Sequence, residues 1–221
     1  MNASTATENR TLGARLKNLG ALLWRVVMLE LRIYANIGRA IARRPAIPKG
    51  ASGFGYHRPV LTVLLIFIGL SAIEIPIIDL IVHRWPVVRI AFLILGIWGV
   101  TWMVGFLCSF FMKPHTVGPQ GIQVREGLEI DIPLSWDDIA SVERSHRVDE
   151  PKSPRYTDTD AGRLLSIRMQ NETNVEITLD RPTVVRLPGR APKGGEQEVT
   201  AVRLWTDDVD GFMDAVRTHI P

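Results

Sequence analysis

The sequence predicts an α+β membrane protein, and three observations carry that expectation. Two long apolar runs lie end to end, the residue pattern changes from helical to alternating after residue 113, and the charge divides the chain into three zones. The chain has 221 residues, 46% of them hydrophobic and 22% charged, with a formal charge of +3. Its mean hydropathy of +0.10 averages an apolar block with two polar regions. Between Pro59 and Met112 the only charged residues are Glu74, Asp79, Arg84 and Arg89. Residues 1–58 carry net +8, residues 59–112 are neutral, and residues 113–221 carry net −5. The basic balance therefore belongs to an N-terminal arm and argues against nucleic-acid binding by the whole chain. Cys108 stands alone inside the apolar block, which excludes a disulfide framework.

The arm comes first. From Leu12 to Ala42 the apolar positions Leu12, Leu16, Leu19, Leu23, Val26, Ile33, Ile37 and Ile41 recur at spacings of three, four or seven, which predicts an amphipathic helix. Arg25, Arg32 and Arg39 repeat every seven residues as a polar stripe, continued by Arg43 and Arg44. Arg25, Glu30 and Arg32 interrupt the middle, so the segment makes a poor spanning helix. Two readings stay open: a helix lying in the membrane interface with its cations on anionic head groups, or a coiled-coil contact with another copy or partner. Pro45 to Gly55 hold two Pro and three Gly and read as a linker.

The runs Pro59–Val82 and Val87–Met112 follow. At about 1.5 Å per residue, each exceeds a hydrocarbon thickness of about 30 Å. His83-Arg84-Trp85-Pro86 separates them as a tight turn, with Pro86 suited to the first position of a helix. The two runs predict a transmembrane hairpin rather than one cleaved signal peptide. Arg39, Arg43, Arg44, Lys49 and Arg58 crowd the near side of the first run, whereas the turn offers only Arg84. The expected topology has both termini cytoplasmic. The expected organisation is a basic helix and linker over residues 1–58, the hairpin over 59–112, and a cytoplasmic domain over 113–221.

Carboxylates in a span need partners or a function. Folding the hairpin about its turn sets Asp79 beside Arg89, which predicts an ion pair. Glu74 lies deeper, opposite Leu95, with Pro76 loosening the helix two residues on. Such a Glu suits an interface in a transport complex, although one carboxylate in two helices makes no proton pathway. Gly96, Gly99, Gly105 and Ser109 are small residues at helix-packing spacing, which leaves a homo-oligomer open.

Beyond Lys113 the period becomes two. Gly121–Arg125 and Leu128–Leu134 read as strands about a Glu126-Gly127 turn, the second alternating Leu128, Ile130, Ile132 and Leu134 with polar positions. Ile139–Ser145, Arg163–Met169, Asn174–Leu179, Thr183–Leu187 and Val199–Trp205 complete seven strands. Val148–Gly162 reads as a long exposed loop. Thr206 is the expected cap of a final helix with Val209, Phe212, Met213, Val216 and Ile220 on one face.

The run Thr116-Val117-Gly118-Pro119-Gln120-Gly121-Ile122-Gln123-Val124-Arg125-Glu126-Gly127, followed by Ile132-Pro133-Leu134-Ser135-Trp136-Asp137-Asp138-Ile139-Ala140-Ser141-Val142-Glu143, resembles bacterial pleckstrin-homology-like domains. The resemblance covers about residues 59–221, because such domains are often tethered behind a transmembrane hairpin. It implies a strongly bent sheet or partly open barrel closed at one end by the C-terminal helix, and it does not imply an enzyme. In phosphoinositide-binding relatives the first hairpin carries clustered Lys and Arg. Here Arg125-Glu126-Gly127-Leu128-Glu129 holds two carboxylates, so repulsion should outweigh attraction.

The chemistry-bearing residues form no set. His57, His83, His115, His146 and His219 have no second ligand at metal spacing. Pro188 to Gly195 lacks the Gly-Lys-Ser/Thr end of a phosphate loop. Asp137-Asp138 and Asp207-Asp208 suit a turn and a helix start. No catalytic residue, metal or cofactor is expected. The expected function is a non-enzymatic interaction or scaffolding module at the bacterial inner membrane, touching anionic lipid through the arm. Its protein partner would carry a basic segment, the arm itself being one candidate. The alternative is an accessory or regulatory subunit of a transport or envelope complex, using Glu74 and Asp79 at a shared helix interface.

Overall fold

The computed structural model describes residues 3–150, 155–189 and 194–219, with side chains from residue 22 onward. The chain is α+β, with four helices and two sheets among the described residues. Helix α1 spans Ala3–Ile41 and ends in a Schellman arrangement. The Arg44 N–H donates to Arg39 O and the Arg43 N–H to Ala40 O, with Arg43 at φ +51. Pro45 then prevents the helix from resuming. Helices α2 (Arg58–Ile81) and α3 (Pro86–Met112) are both long and apolar enough to cross a membrane. Each begins with a proline in its first turn, where the missing N–H is harmless.

The first sheet is an antiparallel meander of β1 (Ser52–Phe54), β2 (His115–Gly118), β3 (Gly121–Glu126) and β4 (Ile130–Ser135). A single 3-10 turn, Trp136–Asp138, leads to the second sheet. This contains β5 (Ile139–Arg147), β6 (Tyr156–Thr159), β7 (Gly162–Ile167), β8 (Thr173–Leu187) and β9 (Gly195–Leu204) in the order β5-β8-β9-β7-β6. Its β7–β9 pair is parallel and the others antiparallel. Helix α4 (Val209–Arg217) follows.

Among the described residues nine strands stand where seven are expected. The predicted linker holds β1, which pairs Phe54 with His115, and β2 has no alternation to mark it, since all four of its residues are buried. The predicted loop Val148–Gly162 holds β6 and a buried Glu150, while residues 151–154 lie outside the described set. The two strands predicted around Pro182 form one β8, whose ladder to β9 breaks between Thr178 and Thr183. Proline cannot donate to a ladder, so the break falls where it must. The predicted cap also moves: Asp208, not Thr206, accepts from Gly211 N. Thr206 is buried and committed elsewhere, its N–H to Asn174 Oδ1 and its hydroxyl to Gly55 O.

The core lies between the sheets and α4. Ile130, Ile132 and Leu134 of β4 point inward while Asp131 and Pro133 face out, as their alternation predicts. Phe54 of β1 meets Phe212 of α4 edge-to-face at 5.2 Å. A second cluster of Tyr56, Phe110 and Met169, with Phe106 and Trp205 against it, joins the hairpin to the sheets.

Candidate interaction site at the junction of arm, hairpin and sheet

Arm and hairpin meet where the side chain is smallest. A methyl group on Gly105 of α3 would lie 2.3 Å from Ile33 Cγ2 and 3.1 Å from Ile33 O. Glycine therefore lets the two helices touch, and Ile33 is fully buried. Seven residues are nearly two helical turns, so Arg25, Arg32 and Arg39 share one stripe of α1. That stripe faces the turn between β3 and β4. Arg25 Nε and Nη2 donate to Glu129 at 3.1 and 2.7 Å. Arg32 and Lys113 both donate to Leu128 O, each at 3.3 Å. Gly127 holds the turn at φ +57, and its N–H donates to the buried Tyr56 hydroxyl at 2.9 Å. Beside it Arg155 pairs with Glu126. Arg39, Arg43 and Arg44 are exposed.

The junction is unevenly charged. Burial holds the Lys113 ammonium below its usual pKa, and the nearby Arg32 and Arg39 add to that, with Asp131 opposing. Arg125 is buried at the base of the junction, donating to Ala46 O at 2.5 Å and to Asp131 at 3.3 Å. His115 is enclosed here too. Its Nδ1 accepts from Arg125 N and its Nε2 donates to Trp205 O, both at 3.0 Å. Burial pushes its pKa from 6.5 down to about 4, so it sits as the neutral ring.

Asp207 makes the third tie. Its carboxylate accepts from His57 N at 2.9 Å, Arg58 N at 3.2 Å and Trp205 Nε1 at 3.3 Å. It thus caps the first turn of α2, where free N–H groups favour an anion. Of the neighbouring acids read as one helix start, Asp208 serves α4 and Asp207 serves α2.

The hairpin charges separate. Arg89 Nε and Nη2 donate to Asp79 at 2.5 and 2.8 Å, the predicted pair. Glu74 is exposed on the flank of α2 with no hydrogen-bond or ion partner among the described residues. Of the residues singled out in the sequence, the structure brings together Asp79 with Arg89, and Arg25 and Arg32 with the sheet. It leaves Glu74, Arg39, Arg43 and Arg44 on the surface. In the sequence His115 reads only as a scattered histidine and Asp207 only as part of a helix start, and nothing marks Lys113, although Glu129 is visible as an acid in a turn.

Between α1, α3 and the β3–β4 turn runs a cleft of about 410 Å³, with Leu29, Trp102, Phe106 and Phe110 along one wall. Another, of about 560 Å³, lies beside the first sheet between Lys49 and Asp138. Among the described residues no three His, Cys, Asp or Glu are placed to hold a metal ion. The junction is equipped to dock a basic helix and to tie two apolar helices to the sheets. No family model matches this chain, and neither the curated proteins nor the solved structures contain a significant match to it.

Proposed function

We propose that the protein is a non-enzymatic interaction or scaffolding module held at the cytoplasmic face of the bacterial inner membrane. In this reading α2 and α3 form the transmembrane hairpin, both termini are cytoplasmic, and the two sheets with α4 form a pleckstrin-homology-like domain. The observation that carries the reading is the two-point grip of Arg25 on Glu129, which occupies the domain's acidic turn with a basic helix of the same chain. A domain that receives one basic segment this way suits an external partner of the same chemistry. The pair is half exposed, so its own contribution is small, about 0.5 kcal/mol after solvent screening, and exchange for a partner costs little.

The test is cross-linking in native membranes. Arg25→Cys with Glu129→Cys, on a Cys108→Ser background, should be joined by a short thiol-reactive cross-linker, because side chains this long hold their Cβ atoms too far apart for a direct disulfide. A reagent that cannot cross the membrane should leave a cysteine near Glu150 unlabelled in intact cells. Labelling there would sink the topology, and absence of the cross-link would sink the docked arm.

Glu74 favours a second reading, an accessory or regulatory subunit of a transport or envelope complex. A carboxylate facing lipid without a partner is costly, and a neighbouring protein's helix would supply a donor. Asp79 is already held by Arg89, so Glu74 alone would carry that interface. A phenotype from Glu74→Gln in stable, correctly inserted protein would move the assignment to this reading.

A further inference from the structure

We infer that the exposed apolar face of α1 is a membrane-contact surface, buried among the acyl chains just below the head groups, so that the arm lies between hydrocarbon and sheet. This placement rests on the proposed transmembrane hairpin and goes beyond it: the arm attaches to lipid through apolar contact and not through its arginines.

Orientation comes first. At about 100° per residue, Arg25, Arg32 and Arg39 share one side of α1. The first two are committed to the β3–β4 turn, Arg25 on Glu129 and Arg32 on Leu128 O. The side away from that stripe is apolar. Leu23, Trp24, Val27, Leu31, Tyr34 and Ile41 fall there within about 100° of one another. All six are exposed, Trp24 to 67% and Ile41 to 79%. No charged residue between Gly20 and Ile41 projects into that arc. An arc of this width is the face a helix buries, and exposed apolar surface of this extent marks a contact.

Helix α3 sets the depth. Ile33 of α1 packs at Gly105, seven residues before α3 ends at Met112 and so about 10 Å along its axis. Helix α3 has 27 residues, about 40 Å, against a hydrocarbon layer of about 30 Å. With the excess shared between its ends, Gly105 sits about 5 Å inside the hydrocarbon boundary. An interfacial helix buries its apolar face to about that depth. Beyond the helix, Ala46 N donates to Met112 O, which holds the exit of the arm at head-group level with the exposed Arg43 and Arg44. Trp24 and Tyr34 are the residue types of the membrane interface.

A second copy is the rival occupant. Trp24, Val27, Leu31, Tyr34, Gly38 and Ile41 have the spacing of a coiled-coil seam. The positions flanking that seam are Met28, Ala35 and Ala42 on one side and Leu23, Glu30 and Ile37 on the other. Glu30 is the one charge among them, so no pair of opposite charges joins the flanks. Ile37 is already against Gly105 of α3. Uncharged flanks suit lipid, which needs no register.

The experiment is spin-label accessibility of the full chain in nanodiscs of phosphatidylcholine alone. Single labels go on Leu31→Cys, Tyr34→Cys, Ile94→Cys or Val184→Cys, each on a Cys108→Ser background. Ile94 is 62% exposed on α3 and reports lipid, while Val184 is 58% exposed on β8 and reports water. Labels at Leu31 and Tyr34 should meet oxygen several-fold more than a water-soluble nickel chelate, as at Ile94, with the order reversed at Val184. High salt should change neither, because the contact is apolar. A water-like ratio at Leu31 beside a lipid-like ratio at Ile94 would overturn the contact surface and leave the hairpin in place. Water-like ratios at both would overturn the membrane placement as well. Protection from both reagents, with spin–spin broadening that dilution by unlabelled chain removes, would overturn lipid in favour of a second copy. A lipid-like ratio that needs phosphatidylglycerol and fades in high salt would overturn apolar attachment in favour of charge attraction.

Discussion

The Asp207 carboxylate caps a helix that begins about 150 residues before it, accepting from His57 N at 2.9 Å and Arg58 N at 3.2 Å. The acid that ends the second sheet thereby fixes the start of the first apolar helix. Its side chain is 6% exposed, so water does not replace it easily. Asp207→Ala should destabilise the junction by about 1–2 kcal/mol, the range of a lost helix cap with its dipole interaction. Asp207→Asn should cost less, because an amide oxygen still accepts. Denaturant titration in detergent, with limited proteolysis near Gly55, measures both, and equal costs would mean the charge contributes nothing.

His115 makes the fold sensitive to acid. Its folded pKa of about 4 lies below its ordinary 6.5, so between those values the unfolded chain binds the extra proton. The stability this group contributes is complete above about pH 6.5 and is lost as pH falls towards 4. A shift of this size corresponds to at most about 3 kcal/mol. Unfolding midpoints between pH 7 and 4 should fall for the wild type and fall less for His115→Gln, which keeps a donor and an acceptor but does not titrate. Parallel slopes would show that other groups govern the acid response.

Asp79 and Arg89 were paired from the sequence alone, by folding two helices about a four-residue turn, and the structure pairs them. Each single change to Ala leaves one charge without its partner, so each should destabilise more than the double change. Unfolding in lipid vesicles measures the cycle. Additive effects would mean the two side chains do not share an interaction in the bilayer.

What could be read from the sequence follows from which forces are local. The spans, the alternation of β4 and the Asp79–Arg89 pair depend on neighbours in sequence or on one tight turn. The junction depends on contacts across about 70 to 150 residues, such as Tyr56 with Gly127 and His57 with Asp207, which no periodicity records. Strands β1 and β2 carry no local signal either, β2 because its four buried residues do not alternate. Ser52-Gly53-Phe54 has the composition of a linker and becomes a strand only because His115 to Val117 lie beside it. The arginine repeat was visible, but its partner was not: Glu129 was read as an acid repelling phosphate, and it also holds Arg25.

Gly105 decides whether the arm stays docked. The helices approach so closely there that a single methyl would meet Ile33 Cγ2 at 2.3 Å and the Ile33 carbonyl at 3.1 Å. The isoleucine side chain can rotate, but the carbonyl moves only if the whole helix moves. Gly105→Ala should therefore loosen α1 against α3, and Gly105→Leu should displace it. Gly99, on the same helix, has nothing within 4 Å of its added methyl, so Gly99→Ala is the matched control and should be neutral or slightly stabilising. Hydrogen exchange in nanodiscs reads the result directly. The amides of residues 25–40 should exchange faster in the Gly105 variants while those of β3 and β4 stay protected. Arg25 and Arg32 would lose their hold on the turn as α1 moves, so the Arg25–Glu129 cross-link should fall in parallel. Unchanged exchange in Gly105→Leu would mean that α1 does not rest on α3 in the membrane.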